Sequence, residues 1–293
     1  TASDTMLRYV SAIGYFFAKK IFLQTGVPIG IISSSWGGTR IEQWTAPEAY
    51  KRSAVLAKQM TSDTFKIDGM KPGQMYKGMI LPFAGLAIKG VLWYQGESNC
   101  MIEDQETYKE KMMVFEDSWR DVFKDDNLPF YTVQIAPYLY SARKDPKTHT
   151  AELLPLFWEA QARCLKLHRT YMVVTTDLVD NLKDIHPSYK WIIGQRMAAQ
   201  ALVTEYGKTE LEAFHPAFSK MKRKGRKFFV SFSNTGGVLR TADAKPATWF
   251  MIAGKDKKFV PATVKISGDV LIITADKLKK TKYIRFACQE TAM

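Results

Sequence analysis

One histidine in this sequence stands where proton transfer could be done. In "DIHPSYK" (184–190), His186 follows Asp184 by two residues and precedes Pro187 at the entrance to a helical stretch. A neighbouring carboxylate orients an imidazole and stabilises its protonated form, as general base chemistry requires. The same setting also suits a surface histidine beside a helix cap. Of the 4 histidines, the remaining three (His149, His168, His215) lack it and read as structural or exposed.

Two further loops carry oxyanion chemistry. In "WYQGESN" (93–99), Gln95 offers an amide donor, Gly96 lets backbone approach a ligand, and Glu97 adds a carboxylate. Preorganised donors of this kind build an oxyanion hole; the alternative is a hydrogen-bonded turn in which Glu97 supports neighbouring loops. In "SSSWGGT" (33–39), Gly37 and Gly38 present backbone N–H groups and Trp36 a wall. A serine here could be nucleophilic, but the strand–turn–helix elbow of GxSxG is lacking. Trp36, Trp93 and Tyr94 are candidate pocket walls and equally candidate core aromatics.

These loops need a scaffold, and the periodicity supplies one. Apolar β-rich runs at 27–35, 88–98, 128–138 and 170–178 each end in small polar residues, and amphipathic helical patterns occupy 5–26, 106–124, 153–168 and 189–207. Alternation of strand and helix predicts an α/β fold, a parallel sheet covered on both faces, with ligands at the strands' carboxyl ends. After about residue 214 the texture changes to short strands with Gly and Asn turns. The expected organisation is an α/β domain over 1–213 and a small β-rich domain over 214–293.

The composition sets limits. With 46% hydrophobic and 24% charged residues the chain reads as globular. A net charge of +13 admits an anionic partner. Its densest basic run, "SKMKRKGRK" (219–227), reads as a solvated domain junction and "ADKLKKTK" (275–282) as a turn, so no nucleic-acid partner is expected. Cys100, Cys164 and Cys288 imply neither a disulfide framework nor a zinc site, and no cofactor or metal is expected. No apolar stretch reaches membrane-spanning length, so no membrane partner is expected either.

Taken together, "GIISSSWGGTRIEQW", "MYKGMILPFAGLAIKGVLWYQGESN", "PFYTVQIAPY" and "DIHP" resemble the sialate O-acetylesterase family, SGNH-type hydrolases related to certain acetylxylan esterases. The resemblance runs from about residue 5 to about residue 290. It implies a flavodoxin-like three-layer sheet and removal of acetyl groups from sugar hydroxyls by serine, without a metal. It also implies an acetylated sugar as substrate and an extracytoplasmic setting. By the same resemblance His186 matches the base, Gly37 or Gly38 faces the oxyanion, and Gln95 takes the place held by an asparagine in more typical SGNH enzymes. The acid partner departs from Asp-x-x-His, leaving Asp184, Asp180, Asp177 or a backbone carbonyl. The family's "GQSNM" nucleophile segment is not found in these residues. The chain thus resembles an internal piece of a longer esterase that lacks its first strand, which a missing N-terminal segment or domain would supply. Ser33, Ser34 and Ser35 are then expected to shape the oxyanion loop rather than attack, and the chain alone to have almost no esterase activity. Two rivals remain: a carbohydrate-binding protein on an esterase fold, and a serine hydrolase using Ser34 or Ser35.

Overall fold

The structure, a computed structural model, describes residues 10–57, 66–67, 69–143, 148–275, 278 and 280–292. Three parallel strands form the central sheet: β1 (Val91–Trp93), β2 (Phe130–Val133) and β3 (Thr170–Val173), in the order β1-β2-β3. All four residues of β2 are buried, as expected of a strand covered on both faces.

The covers are two helix pairs. On one face α1 (Ala12–Thr25) packs along α5 (Lys190–Tyr206), and their apolar residues join Tyr131, Val133 and Val173 in one core. On the other, α3 (Tyr108–Phe123) and α4 (Leu153–Arg163) close on Val91, Trp93 and Phe130. A short helix, α2 (Glu97–Met101), leaves directly from β1. Helix ends follow local chemistry: the Ser11 hydroxyl accepts from the Gly14 N–H at the start of α1, and Gly26 (φ 72°) and Gly207 (φ 68°) end α1 and α5 in the left-handed conformation.

The remaining strands are antiparallel. One sheet has the order β4-β5-β9-β8, from β4 (Ala217–Lys224), β5 (Lys227–Ser233), β8 (Thr263–Ser267) and β9 (Val270–Thr274). The other has the order β10-β6-β7, from β6 (Phe250–Ala253), β7 (Phe259–Pro261) and β10 (Tyr283–Phe286). Phe228, Val230, Leu271 and Ile273 from the first meet Phe250 and Ile252 from the second in a separate core. The chain then returns to the α/β part, where Glu290 accepts from the Ser141 N–H at 3.0 Å and its own N–H donates to the Ala151 carbonyl at 3.1 Å.

Two expectations are corrected here. Residues 27–35 are not a strand: no ladder partner is found for them among the described residues, and Ile31 and Ile32 are exposed (39% and 48%). A β-rich run becomes a strand only beside a neighbour, and β1 pairs with β2 alone among the described residues. The basic run 219–227 is no junction. It forms most of β4, the Gly225 turn and the start of β5. The helical expectation at 5–26 extends over residues 5–9, outside the described residues, as do 276–277 and 279 of the second basic run.

Candidate active site

The turn after β1 is fixed by crowding. Gly96 has φ 148°, and a Cβ there would sit 2.9 Å from both Ile135 Cγ2 and Phe157 Cε1. Only glycine fits this bend, which carries the chain into α2 and sets Gln95, Glu97 and Asn99 around one corner.

A buried polar network then locks that corner to the glycine loop. Lys111 Nζ, on α3, donates to Glu42 Oε1 at 2.8 Å and to Asp104 Oδ2 at 2.6 Å. Asn99 Nδ2 donates to Glu42 Oε2 and Asp104 Oδ2, acceptors only, so Asn99 Oδ1 must face the donors. It accepts from the Ile41 N–H at 3.1 Å and from Gln95 Nε2 at 2.7 Å. Gln95 Nε2 also donates to the Thr39 carbonyl at 3.2 Å, while Gln95 Oε1 accepts from the Tyr108 hydroxyl. The orientations of both amides are thus dictated by groups of unambiguous polarity.

Gly37 and Gly38 lie beside Thr39, exposed, with open space where a Cβ would stand; Gly38 takes φ 74°. Trp36 is 62% exposed. Trp93 is a core residue, its ring 4.3 Å from that of Phe115. The Ser34 hydroxyl donates to the Met79 carbonyl at 3.0 Å, and Ser33 and Ser35 are exposed.

His186 lies in the loop between β3 and α5. Its side chain is 77% exposed, and its Nδ1 stands 3.3 Å from Asp184 Oδ1. The same oxygen accepts the His186 backbone N–H at 2.9 Å, and this bond is the chief reason the Asp184 carboxyl is held below its ordinary range. Of the other carboxylates, Asp177 is engaged by Arg196, and Asp180 accepts from Ser188 at 3.4 Å. Burial pushes the Glu97 carboxyl up, and a hydrogen bond from its own backbone N–H draws it back.

The remaining histidines sit apart. His149 is buried 3.5 Å from a Glu103 carboxylate oxygen, His168 Nε2 lies 3.0 Å from Asn127 Oδ1, and His215 borders a cleft of about 390 Å³ with Asp177, Arg196 and Phe214. Among the described residues no cluster of His, Cys, Asp or Glu could hold a metal ion, and no helix is long and apolar enough to cross a membrane.

Sequence reasoning missed Glu42, Asn99, Asp104 and Lys111. A signal existed for Lys111: on α3 it falls at helical spacing with Tyr108, Met112, Phe115 and Trp119, all buried.

Comparison with known proteins decides the family. Residues 6–203 match the model described as "Carbohydrate esterase, sialic acid-specific acetylesterase". The chain belongs to this family. Sialate O-acetylesterase from Pongo abelii is 26% identical over 290 residues, covering 94% of this chain and 54% of that protein. The Homo sapiens protein of the same name is 28% identical over 240 residues, covering 77% and 45%. The crystal structure of a carbohydrate acetylesterase from Xanthomonas citri superposes with a TM-score of 0.83 at 34% identity, covering 96% of this chain and 61% of that one. The chain thus spans about half the length of the curated relatives it matches. The family match includes all three loops of the candidate site and stops before β4.

Proposed function

We propose that this chain supplies the oxyanion loops and the proton acceptor of a carbohydrate O-acetylesterase acting on acetylated sugars, with the attacking serine outside residues 33–35 and outside this chain. The observation that carries the reading is the bond that joins two of the three loops: Gln95 donates to the Thr39 carbonyl beside Gly37 and Gly38. Ser34 spends its hydroxyl on Met79, and the ring contact of His186 is to Asp184.

In the reaction, Asp184 holds the imidazole through Nδ1, leaving Nε2 to take the serine proton. The hydroxyl oxygen attacks the acetyl carbonyl, and the resulting oxyanion takes backbone N–H bonds at Gly37–Gly38. Of the two bonds that Gln95 Nε2 donates, the 3.2 Å contact to Thr39 is the one an oxyanion would replace. His186 then returns the proton to the departing sugar oxygen, and water repeats the sequence on the acyl-serine. Glu97 supports the loop. An extracytoplasmic setting belongs to the same proposal.

The test is acetyl release from an O-acetylated sialic acid by the full-length gene product and by its His186→Ala form. A loss of about a thousandfold or more is expected; equal rates would remove the base. Labelling by a fluorophosphonate within residues 33–35 would instead make one of those serines the nucleophile.

A further inference from the structure

The outward face of the four-stranded sheet carries a pattern that the esterase site does not use. Its register places Lys222, Phe229, Ile272 and Lys265 in one row across β4, β5, β9 and β8. The row on one side is Lys220, Ser231, Val270 and Ser267. On the other, Lys224 is paired with Lys227, and Thr263 with Thr274. Phe228, Val230, Leu271 and Ile273 alternate with these residues and point into the core. At about 4.8 Å between strands and about 6.8 Å between alternate residues, the amines frame a patch about 14 Å on each side.

Three features distinguish this face from an ordinary solvated one. Its positions include five lysines and no carboxylate, the nearby acid Asp269 lying in the β8–β9 turn. Among the described residues none of the five lysines forms an ion pair, and Lys224 and Lys227 stand directly opposed, which costs stability in a sheet. Half-buried Phe229 and Ile272 lie between Lys222 and Lys265, a flat apolar centre inside a cationic frame, with hydroxyls of Ser231, Ser267, Thr263 and Thr274 around it. Lysines on the edge strands guard against strand addition, but that role explains neither Lys227 on the inner strand β5 nor the apolar centre.

We infer that this face is a second binding surface, separate from the esterase loops, for an anionic glycan chain whose carboxylates meet the lysines while sugar rings lie on Phe229 and Ile272. The positive frame supplies the charge complementarity. The choice of an acidic glycan rests on the esterase reading, because sialic acid is itself a carboxylated sugar. The measurement is made on unacetylated glycan, so that failure of the esterase chemistry leaves it untouched.

Binding of the chain to polysialic acid is followed by titration calorimetry at low salt, with neutral dextran and a single-stranded DNA oligonucleotide of equal charge as comparison ligands. Each exposed charge contact is worth roughly a factor of 1.4 to 5, so Lys222→Gln, Lys224→Gln and Lys265→Gln together should weaken polysialic acid binding about tenfold. Added salt should weaken the unmodified protein's binding too. A control with Lys51→Gln, Lys71→Gln and Lys89→Gln removes the same net charge from exposed positions elsewhere and should stay within about twofold. All six sites are exposed, and unchanged thermal melting checks that the variants fold. Equal weakening by the two triple variants would reduce the effect to diffuse charge and overturn the proposal. So would tighter binding of the oligonucleotide than of polysialic acid, or equal binding of dextran.

Discussion

Lys111→Met tests whether the buried network holds the site together. Lys111 is 4% exposed and lies between two carboxylates, of which Glu42 is 1% exposed. Methionine keeps the length of the side chain and removes the charge, leaving Glu42 and Asp104 facing each other with Asn99 Nδ2 and the Thr107 hydroxyl as remaining donors. Stranding buried charge in this way costs about 3–5 kcal/mol, a fifth or more of a typical total of about 5–15. Urea unfolding should show that loss as a lower midpoint at unchanged slope. Adding Glu42→Gln removes one stranded charge and should restore about half of it. The network's link to the glycine loop gives a local readout. The Ile41 amide donates to Asn99 Oδ1, so its hydrogen exchange should accelerate more than that of Val230 in the separate core. A loss under about 1 kcal/mol, or a double variant no better than the single, would refute the idea that Lys111 neutralises these carboxylates.

Further perturbations address other parts of the chain. At Gly194, on α5, an added Cβ would meet the Ile13 carbonyl oxygen at 2.5 Å and Phe16 Cβ at 3.1 Å. Gly194→Ala should therefore lower stability by about 1–3 kcal/mol, outweighing alanine's better helix propensity, and a rise in melting temperature would disprove the close helix contact. Glu116 is pushed up to about 8 by burial, against the opposing bonds from Thr170 and the Arg120 charge. A carboxyl raised in the folded state favours folding fully below its unfolded value, and that contribution is lost as pH rises through about 8. Between pH 5 and 8 the fall should reach at most about 4 kcal/mol. Glu116→Gln should flatten that part of the urea-midpoint profile, and parallel profiles for the two proteins would show that Arg120 keeps the group ionised.

The sequence made visible what local pattern can encode. Helical spacing located α3 at Tyr108–Phe123 inside the expected 106–124, and α5 at Lys190–Tyr206 inside 189–207. The apolar runs at 88–98, 128–138 and 170–178 contain β1, β2 and β3, though each ladder is shorter than its run because the ends turn into loops. Failures came where a partner decides the outcome. Residues 27–35 have strand composition but find no ladder among the described residues, whereas the charged β4 becomes a strand because β5 pairs along it.

The site divides along the same line. His186 and Asp184 are two residues apart, so a local motif placed Asp184 among the candidates for the contact that the structure shows. Glu42 and Lys111 are far apart in sequence, and lysine and glutamate carry no prior for burial. Their pairing could be read only from the apolar face of α3 that Lys111 interrupts. That interruption carries the most information about the site. A lysine is tolerated on a buried helical face only if carboxylates meet it there, and those carboxylates leave Asn99 one orientation, which in turn leaves Gln95 one orientation. The polarity of the candidate oxyanion corner is therefore set from inside the core rather than by its own loop, and substitutions at Lys111 should disturb it without touching substrate.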